Sequence, residues 1–444
     1  MSSPVPCPES GTAAFHRGLP GAAGAGELWC EGTRVAALAE RFGTPLYVYS
    51  GRAIDERAER LRRAFGADAT ICYAVKANSN LTLLRRLAGH GLGFDVVSGG
   101  ELQRLAIAGL ATDHVVFAGV AKEPWEIAAA VAADILFFNV ESEHELALLA
   151  AAGATAGRRL RVALRLNPDV EAGTHAYITT GKKQNKFGIG LGRAADVVRR
   201  IVAEPWLELA GYHVHLGSQL RSVAPYVDAF ERVAAFADAD PAHREGVTHY
   251  DLGGGFGISY GEGDELDVAA VAEALLPRLS ARGWRPVLEP GRYLVGDAGV
   301  LVTRVLGTKG QSQPGSPAAA GGGGTEFVLV DAAMNDLVRP ALYQAEHPIA
   351  PVAAPRAERR TVDVVGPVCE TGDFLARGRQ LPATVAGDLL AVFAAGAYGA
   401  SMASNYNSRR RPAEVLVDGD RARLVRRRET FEQLTANEVE IDES

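Results

Sequence analysis

Between Ile71 and Pro290, short runs of β-branched and aromatic residues alternate with stretches rich in Ala, Leu and Arg. This rhythm constrains the fold more than any other feature. The strand-like runs are ICYAV (71–75), GFDVV (93–97), VVFAG (115–119), ILFFN (135–139), RVALRL (161–166), GYHVHL (211–216), HYDLG (249–253) and PVLEP (286–290). Helical stretches such as LTLLRRLAGHG, GELQRLAIAG and EHELALLAAAG separate them. Regular β–α alternation implies parallel strands joined by crossover helices. Eight such units over about 220 residues predict a (β/α)8 barrel rather than a doubly wound open sheet.

From Val300 the texture changes. LVTRVLGTK, FVLVDA, RRTVDVVGPV, LLAVFAAG, PAEVLVDGD and RARLVRRRE are short and strand-like, with turns between them. The expected organisation is a flexible Gly/Ala/Pro/Ser-rich tail over 1–26 and a lead-in over 27–46 packed with the β-rich domain. The barrel then spans 47–299 and a C-terminal β-rich domain, a β-barrel or sandwich, spans 300–444. PLYVYS (45–50) is read as leading into the first barrel unit, and Gly307–Glu326 as an exposed loop between two strands.

Composition excludes several classes of function. Of 444 residues, 47% are apolar and 22% charged, which rules out a mostly disordered chain. The 53 acidic residues outnumber the 46 basic ones, for a net charge of −7, so no nucleic-acid partner is expected. No run of 18 uncharged apolar residues occurs, and the N-terminus lacks the apolar core of a signal peptide. We therefore expect no membrane association and a cytoplasmic location. Four scattered cysteines, Cys7, Cys30, Cys72 and Cys369, suggest neither a disulfide framework nor a structural zinc site.

In a barrel, functional groups lie at the C-terminal ends of the strands. Those ends carry Lys76, Asp95, Asn139, Asn167, His215, Gly253 to Gly255, and Glu289 with Arg292. Lys76 either snorkels at the rim or serves as an amine nucleophile, since a lysine ending a buried strand is costly unless paired or used. The loop GGGFG offers backbone N–H groups to a phosphate but lacks the spacing of a dinucleotide fingerprint. Glu289 and Arg292 across a tight turn read as a surface ion pair or as part of a site. His213 and His215 share one face of a strand. They could ligate a metal, but no nearby acidic pattern completes such a site, and a stacking or orienting role is equally open; no metal is expected. Cys369 beside Glu370 is either an inert buried thiol or a reactive one.

Nine stretches in fixed order identify a family resemblance. They are YAVKANSN (73–80), GFDVVSGGEL (93–102), NKFGIG (185–190), HVHLGSQ (213–219), DLGGGFGISY (251–260), EPGRYLV (289–295), MNDLVRPALY (334–343), CETGDFLA (369–376) and GAYGASMASNYNSRRRPAEVL (396–416). From about Leu28 to Arg427 the chain resembles the fold-type III pyridoxal-phosphate (PLP) decarboxylases. MNDLVRPALY with CETGDFLA favours the branch that converts meso-2,6-diaminopimelate to L-lysine and CO2, the last step of lysine biosynthesis, over the ornithine and arginine branches. Ala400, where a larger residue is usual, and the long 310–324 loop are the departures.

The resemblance implies roles for individual residues. Lys76 carries PLP as a Schiff base, and His215 stacks on its ring. Ser218, Gly254, Gly255 and the segment Glu289, Pro290, Gly291 and Arg292 surround the phosphate, while the Glu289 carboxylate contacts the pyridine nitrogen. Arg292, Arg339, Tyr343 and Glu370 bind the distal end of a small amino-acid substrate. Cys369 donates a proton, and Tyr398 closes over cofactor and substrate. Cys369 and Glu370 come from the partner subunit, which implies a homodimer with shared active sites. Rival readings are a racemase on the same barrel, a related decarboxylase acting on another diamino acid or a carboxylated polyamine, and a non-catalytic PLP-binding homologue. The last should lack Lys76 or Cys369, and both are present.

Overall fold

The structure, a computed structural model, describes residues 14–18, 25–170, 186–261, 265–310 and 326–439. Most of the expected N-terminal tail and of the 307–326 loop lies outside the described residues. The chain divides into two compact units. One comprises Asp55–Ile258 and Asp264–Leu294; the other comprises Met1–Ile54, Ser259–Gly263 and Val295–Ser444.

The first unit is the expected barrel. Its strands are β1 (Thr70–Ala74), β2 (Gly93–Val96), β3 (Val115–Phe117), β4 (Phe137–Val140), β5 (Leu160–Asn167), β6 (Leu207–His213), β7 (His249–Asp251) and β8 (Arg285–Leu288). All eight pair in parallel, β8 with β1 and β4 with β5, so the sheet closes on itself. Closure leaves no exposed ladder edge. The intervening helices include α1 (Leu81–Gly89), α2 (Gly99–Ala108), α3 (Pro124–Ala132), α4 (Glu143–Ala156), α5 (Leu191–Ala203), α6 (Ala224–Asp238) and α7 (Val268–Ser280). Local chemistry sets several of their ends. Ser98 and Ser142 accept the N–H groups of Glu101 and Glu145 as N-caps, and Gly109 and Gly157 end α2 and α4 in left-handed conformations. Cys72, Val116, Phe137, Ala163 and Val287 form a buried apolar cluster drawn from five different strands.

The second unit is β-rich. Its strands include β9 (Gly299–Gly310), β10 (Glu326–Val330), β11 (Ile349–Pro351), β12 (Arg359–Val365), β13 (Phe374–Pro382), β14 (Leu389–Val392), β15 (Ala413–Asp418) and β16 (Arg421–Arg426). The strand Leu46–Ser50 lies in the middle of this sheet. It pairs antiparallel with β9 and parallel with β15, and all five of its residues are buried. PLYVYS is thus part of the β-rich unit rather than a lead-in to the barrel. The division between units falls after Ile54 instead of at 47, and at Val295 instead of 300. The reason is physical: a fully buried strand is stable only where both edges are paired, and its partners here are supplied by the C-terminal part of the chain. Among the described residues, no helix is long and apolar enough to cross a membrane.

Candidate active site

Lys76 follows β1 in a single 3-10 turn, Val75–Ala77. Its Nζ lies 2.6 Å from Asp95 Oδ2 in β2, with the lysine side chain 36% exposed and the aspartate fully buried. Burial pushes the Asp95 carboxyl up to about 6, although the Lys76 charge works to lower it.

Glu289 immediately follows β8 and is buried. Its Oε1 accepts from Asn139 Nδ2 at 3.0 Å, and its Oε2 lies 3.2 Å from His213 Nε2. Burial alone would raise its pKa. His213 and Lys76 more than offset that and hold the carboxyl below the usual range. Asp251, at the end of β7, accepts the Gly253 N–H at 2.9 Å through Oδ1. One ligand atom each of His213, Asp251 and Glu289 lies within 4.8 Å of the other two. Burial, then the Glu289 charge, drives the Asp251 carboxyl well up. Two neighbouring buried acids are therefore pushed in opposite directions, Glu289 toward the ionised form and Asp251 toward the protonated form. The acidic company that His213 lacks in the sequence comes from two neighbouring strands.

The glycine loop presses its backbone against the adjacent strand ends. A Cβ on Gly254 would sit 2.2 Å from the Glu289 carbonyl oxygen, and one on Gly255 would sit 2.2 Å from that of Gly217. Gly255 also has φ +87°, so only glycine fits there without strain. The Gly254 N–H donates to His215 Nδ1 at 3.2 Å, which leaves that nitrogen unprotonated. Burial, with the Arg165 and Lys76 charges, lowers the His215 pKa to about 3, so the ring is neutral. Arg292 opens a short helix and donates through Nη2 to Ser218 Oγ at 3.2 Å. The local Glu289–Arg292 pairing considered from sequence gives way to these longer-range partners. Barrel closure thus gathers Lys76, Asp95, Asn139, His213, Asp251 and Glu289, and beside them His215, the glycine loop, Ser218 and Arg292.

In the β-rich unit, Cys369 and Glu370 sit on an exposed turn. The Cys369 N–H donates to Asn407 Oδ1 at 2.9 Å, and the Glu370 carboxylate accepts from the Tyr406 hydroxyl. Asp373 pins the base of the turn by accepting the Val368 and Met334 N–H groups, each at 2.7 Å. Arg339 begins a five-residue helix that ends at Tyr343, and its Nη1 lies 2.9 Å from both Tyr260 Oη and His347 Nε2. Tyr398 is half-buried and held at φ +56°, a conformation that residues with side chains seldom adopt.

Sequence reasoning gave no role to Asp95, Asn139, Asp251, Tyr260, His347, Tyr406 or Asn407. Strand-end position had singled out Asp95 and Asn139. Asp251, Tyr260, Tyr406 and Asn407 lie within the quoted stretches 251–260 and 396–416 but were given no role there, and His347 lies outside all of them.

Residues 51–296 match the family model described as pyridoxal-dependent decarboxylase, pyridoxal binding domain. The class that fold and site define is thus the PLP-dependent decarboxylases, and PLP is the cofactor. The diaminopimelate decarboxylase of Neisseria meningitidis serogroup A is 48% identical over 413 residues, covering 93% of this chain and 99% of the relative. That of Pseudomonas fluorescens is 47% identical, covering 94% and 98%. The crystal structure of diaminopimelate decarboxylase from Helicobacter pylori complexed with L-lysine is 38% identical, with a TM-score of 0.84 and coverage of 90% and 98%. The chain belongs to the diaminopimelate decarboxylase family.

Proposed function

We propose that this protein decarboxylates meso-2,6-diaminopimelate to L-lysine and CO2, as the last step of lysine biosynthesis, and that it works as a cytoplasmic homodimer. The observation that carries the reading is the buried barrel cluster, in which an amine paired with Asp95 stands near a carboxylate held ionised by Asn139 and His213. Relatives at 47–48% identity that bear the same name support the choice of substrate.

The residues present fit PLP. Lys76 supplies the amine for a Schiff base. Ser218 and Arg292, joined at 3.2 Å, set a hydroxyl beside a guanidinium, a donor pair suited to a phosphate, next to a glycine loop that admits no side chain at Gly254 or Gly255. Glu289 supplies the negative charge that keeps a ring nitrogen protonated, and neutral His215 supplies a flat ring for stacking. Bound PLP supplies an electron sink for the bond that breaks.

The chain's own residues do the rest. Asp95 orients Lys76 Nζ. Asp251, pushed toward its protonated form, disfavours a second buried negative charge beside Glu289. Arg292 and Arg339 fork onto the distal carboxylate, with Tyr343 beside them, and Glu370 takes the distal ammonium. A simple diamino acid would bring an ammonium group to those arginines and be repelled. Cys369 Sγ delivers a proton to Cα. In the homodimer, Cys369 and Glu370 serve the partner's site, and Tyr398 closes over it.

The test is CO2 release from meso-diaminopimelate, ornithine and lysine measured in parallel on PLP-loaded protein. Turnover of diaminopimelate alone is expected. Equal or faster turnover of ornithine or lysine would replace this reading with another decarboxylase.

A further inference from the structure

We propose that His347 is a positioning residue: it fixes the direction of the Arg339 guanidinium without neutralising it, and so sets selectivity for a distal carboxylate. The inference rests on the substrate reading above. His347 lies between the helix Arg339–Tyr343 and β11, and is 0% exposed. Its Nδ1 is 2.8 Å from the Phe393 carbonyl oxygen, and its Nε2 is 2.9 Å from Arg339 Nη1.

These partners settle the protonation state of the ring. A carbonyl only accepts and a guanidinium only donates. Nδ1 therefore carries the hydrogen and Nε2 carries the lone pair. The ring is neutral and in a single tautomer. Tyr260 Oη lies 2.9 Å from the same Nη1, and the Tyr260 ring packs edge-on against His347 at 5.4 Å. With Nη1 tied to two fixed groups, the plane of the guanidinium is fixed as well.

The choice of a neutral acceptor has a consequence. A carboxylate at position 347 would orient Arg339 equally well, but it would pair with the charge and compete with an incoming carboxylate. Imidazole in this tautomer accepts one hydrogen bond and itself adds no negative charge beside the guanidinium. Decarboxylation at one end of diaminopimelate leaves the other end intact, so L-lysine presents the same carboxylate to Arg339. Anything that misdirects Arg339 should weaken substrate and product alike.

Two substitutions separate this role from a structural one. In His347→Gln the amide oxygen reaches the position of Nε2 and still accepts from Arg339. In His347→Asn the amide nitrogen takes the position of Nδ1 and still donates to Phe393, but the Arg339 contact is lost. We expect His347→Asn to raise KM for diaminopimelate and the inhibition constant of L-lysine together, by about tenfold, the size of one hydrogen bond to a charged group. Its kcat should stay within about twofold, since the contact is equally present in ground and transition states. His347→Gln should keep wild-type KM even if it melts at a lower temperature. A merely structural role predicts the opposite, with KM following melting temperature in both variants, and that outcome overturns the proposal. Nitrogen-15 NMR of histidine-labelled wild-type protein needs no variant: His347 must appear as the neutral Nδ1–H tautomer, and the other tautomer or the imidazolium overturns the proposal. Wild-type protein that binds PLP yet leaves diaminopimelate untouched would instead remove the substrate reading beneath it.

Discussion

The barrel cluster and the Cys369 turn solve the problem of placing reactive groups in different ways. In the barrel, Asp95, Asn139, His213, Asp251 and Glu289 are buried, and the three carboxyl groups are shifted by the loss of water and by neighbouring charges. In the β-rich unit, Cys369 is exposed, and what is fixed is its backbone, through Asn407 and Asp373. A buried cluster is ready to hold a cofactor whose charge it complements. An exposed thiol on a pinned turn suits a group that acts against a second surface. Substitutions in the two regions should therefore fail in different ways.

The largest effect should come from Lys76→Ala. With the amine gone, both exchanges of Lys76 with substrate or product lose their nucleophile, and kcat should fall by about 10³-fold or more. Steady-state CO2 release checks this, and a loss of less than tenfold would detach Lys76 from the chemistry. Cys369→Ala should also be nearly inactive alone, but it should be rescuable in trans. Mixing it with Lys76→Ala yields about half mixed dimers, each with one intact site of two, so activity should recover to about a quarter of wild type. Subunit exchange is verified first with tagged chains. If exchange occurs and no activity returns, Cys369 serves its own subunit.

A smaller effect is expected at Arg339. Arg339→Ala removes a charge-assisted contact worth about 2–5 kcal/mol, so KM for diaminopimelate should rise by about 30-fold or more, with kcat changed less. An unchanged KM would place the distal carboxylate elsewhere.

The smallest effect concerns Glu101 at the start of α2, whose carboxylate accepts the Val97 N–H at 2.8 Å. Burial pushes its pKa up to about 7 from an ordinary 4.5. Between those values the native state keeps a proton that the unfolded chain has released, so wild-type stability falls as pH rises through that window. Glu101→Gln does not titrate. Its stability relative to wild type should rise from about pH 4.5 to 7 and level off above, as urea unfolding at several pH values would reveal. A difference independent of pH would mean that Glu101 titrates normally.

The barrel was legible because each of its strands is an apolar run bounded by a helix, and eight such runs nearly dictate closure. The place of Leu46–Ser50 was not legible. Its partners, Val300 and Val415 among them, are supplied by a distant part of the chain, and a short apolar run does not reveal which sheet it will join. The site was half legible. Lys76, Glu289 and the glycine loop stand at strand ends, where function is expected. The partners that set their charge come from other strands: His213 meets Glu289 across 76 residues, and Asn139 meets it across 150. Local spacing carries no trace of such contacts. The same holds for Tyr260, which reaches Arg339 across 79 residues. Closure of the barrel also explains why Glu289 and Arg292, three residues apart, found separate partners.

The most direct test of the account is to load the protein with PLP, reduce it with borohydride and map the peptides. The account predicts one phosphopyridoxyl group per chain, attached to Lys76. Label on any other lysine, or none at all in protein that has taken up PLP, would contradict it.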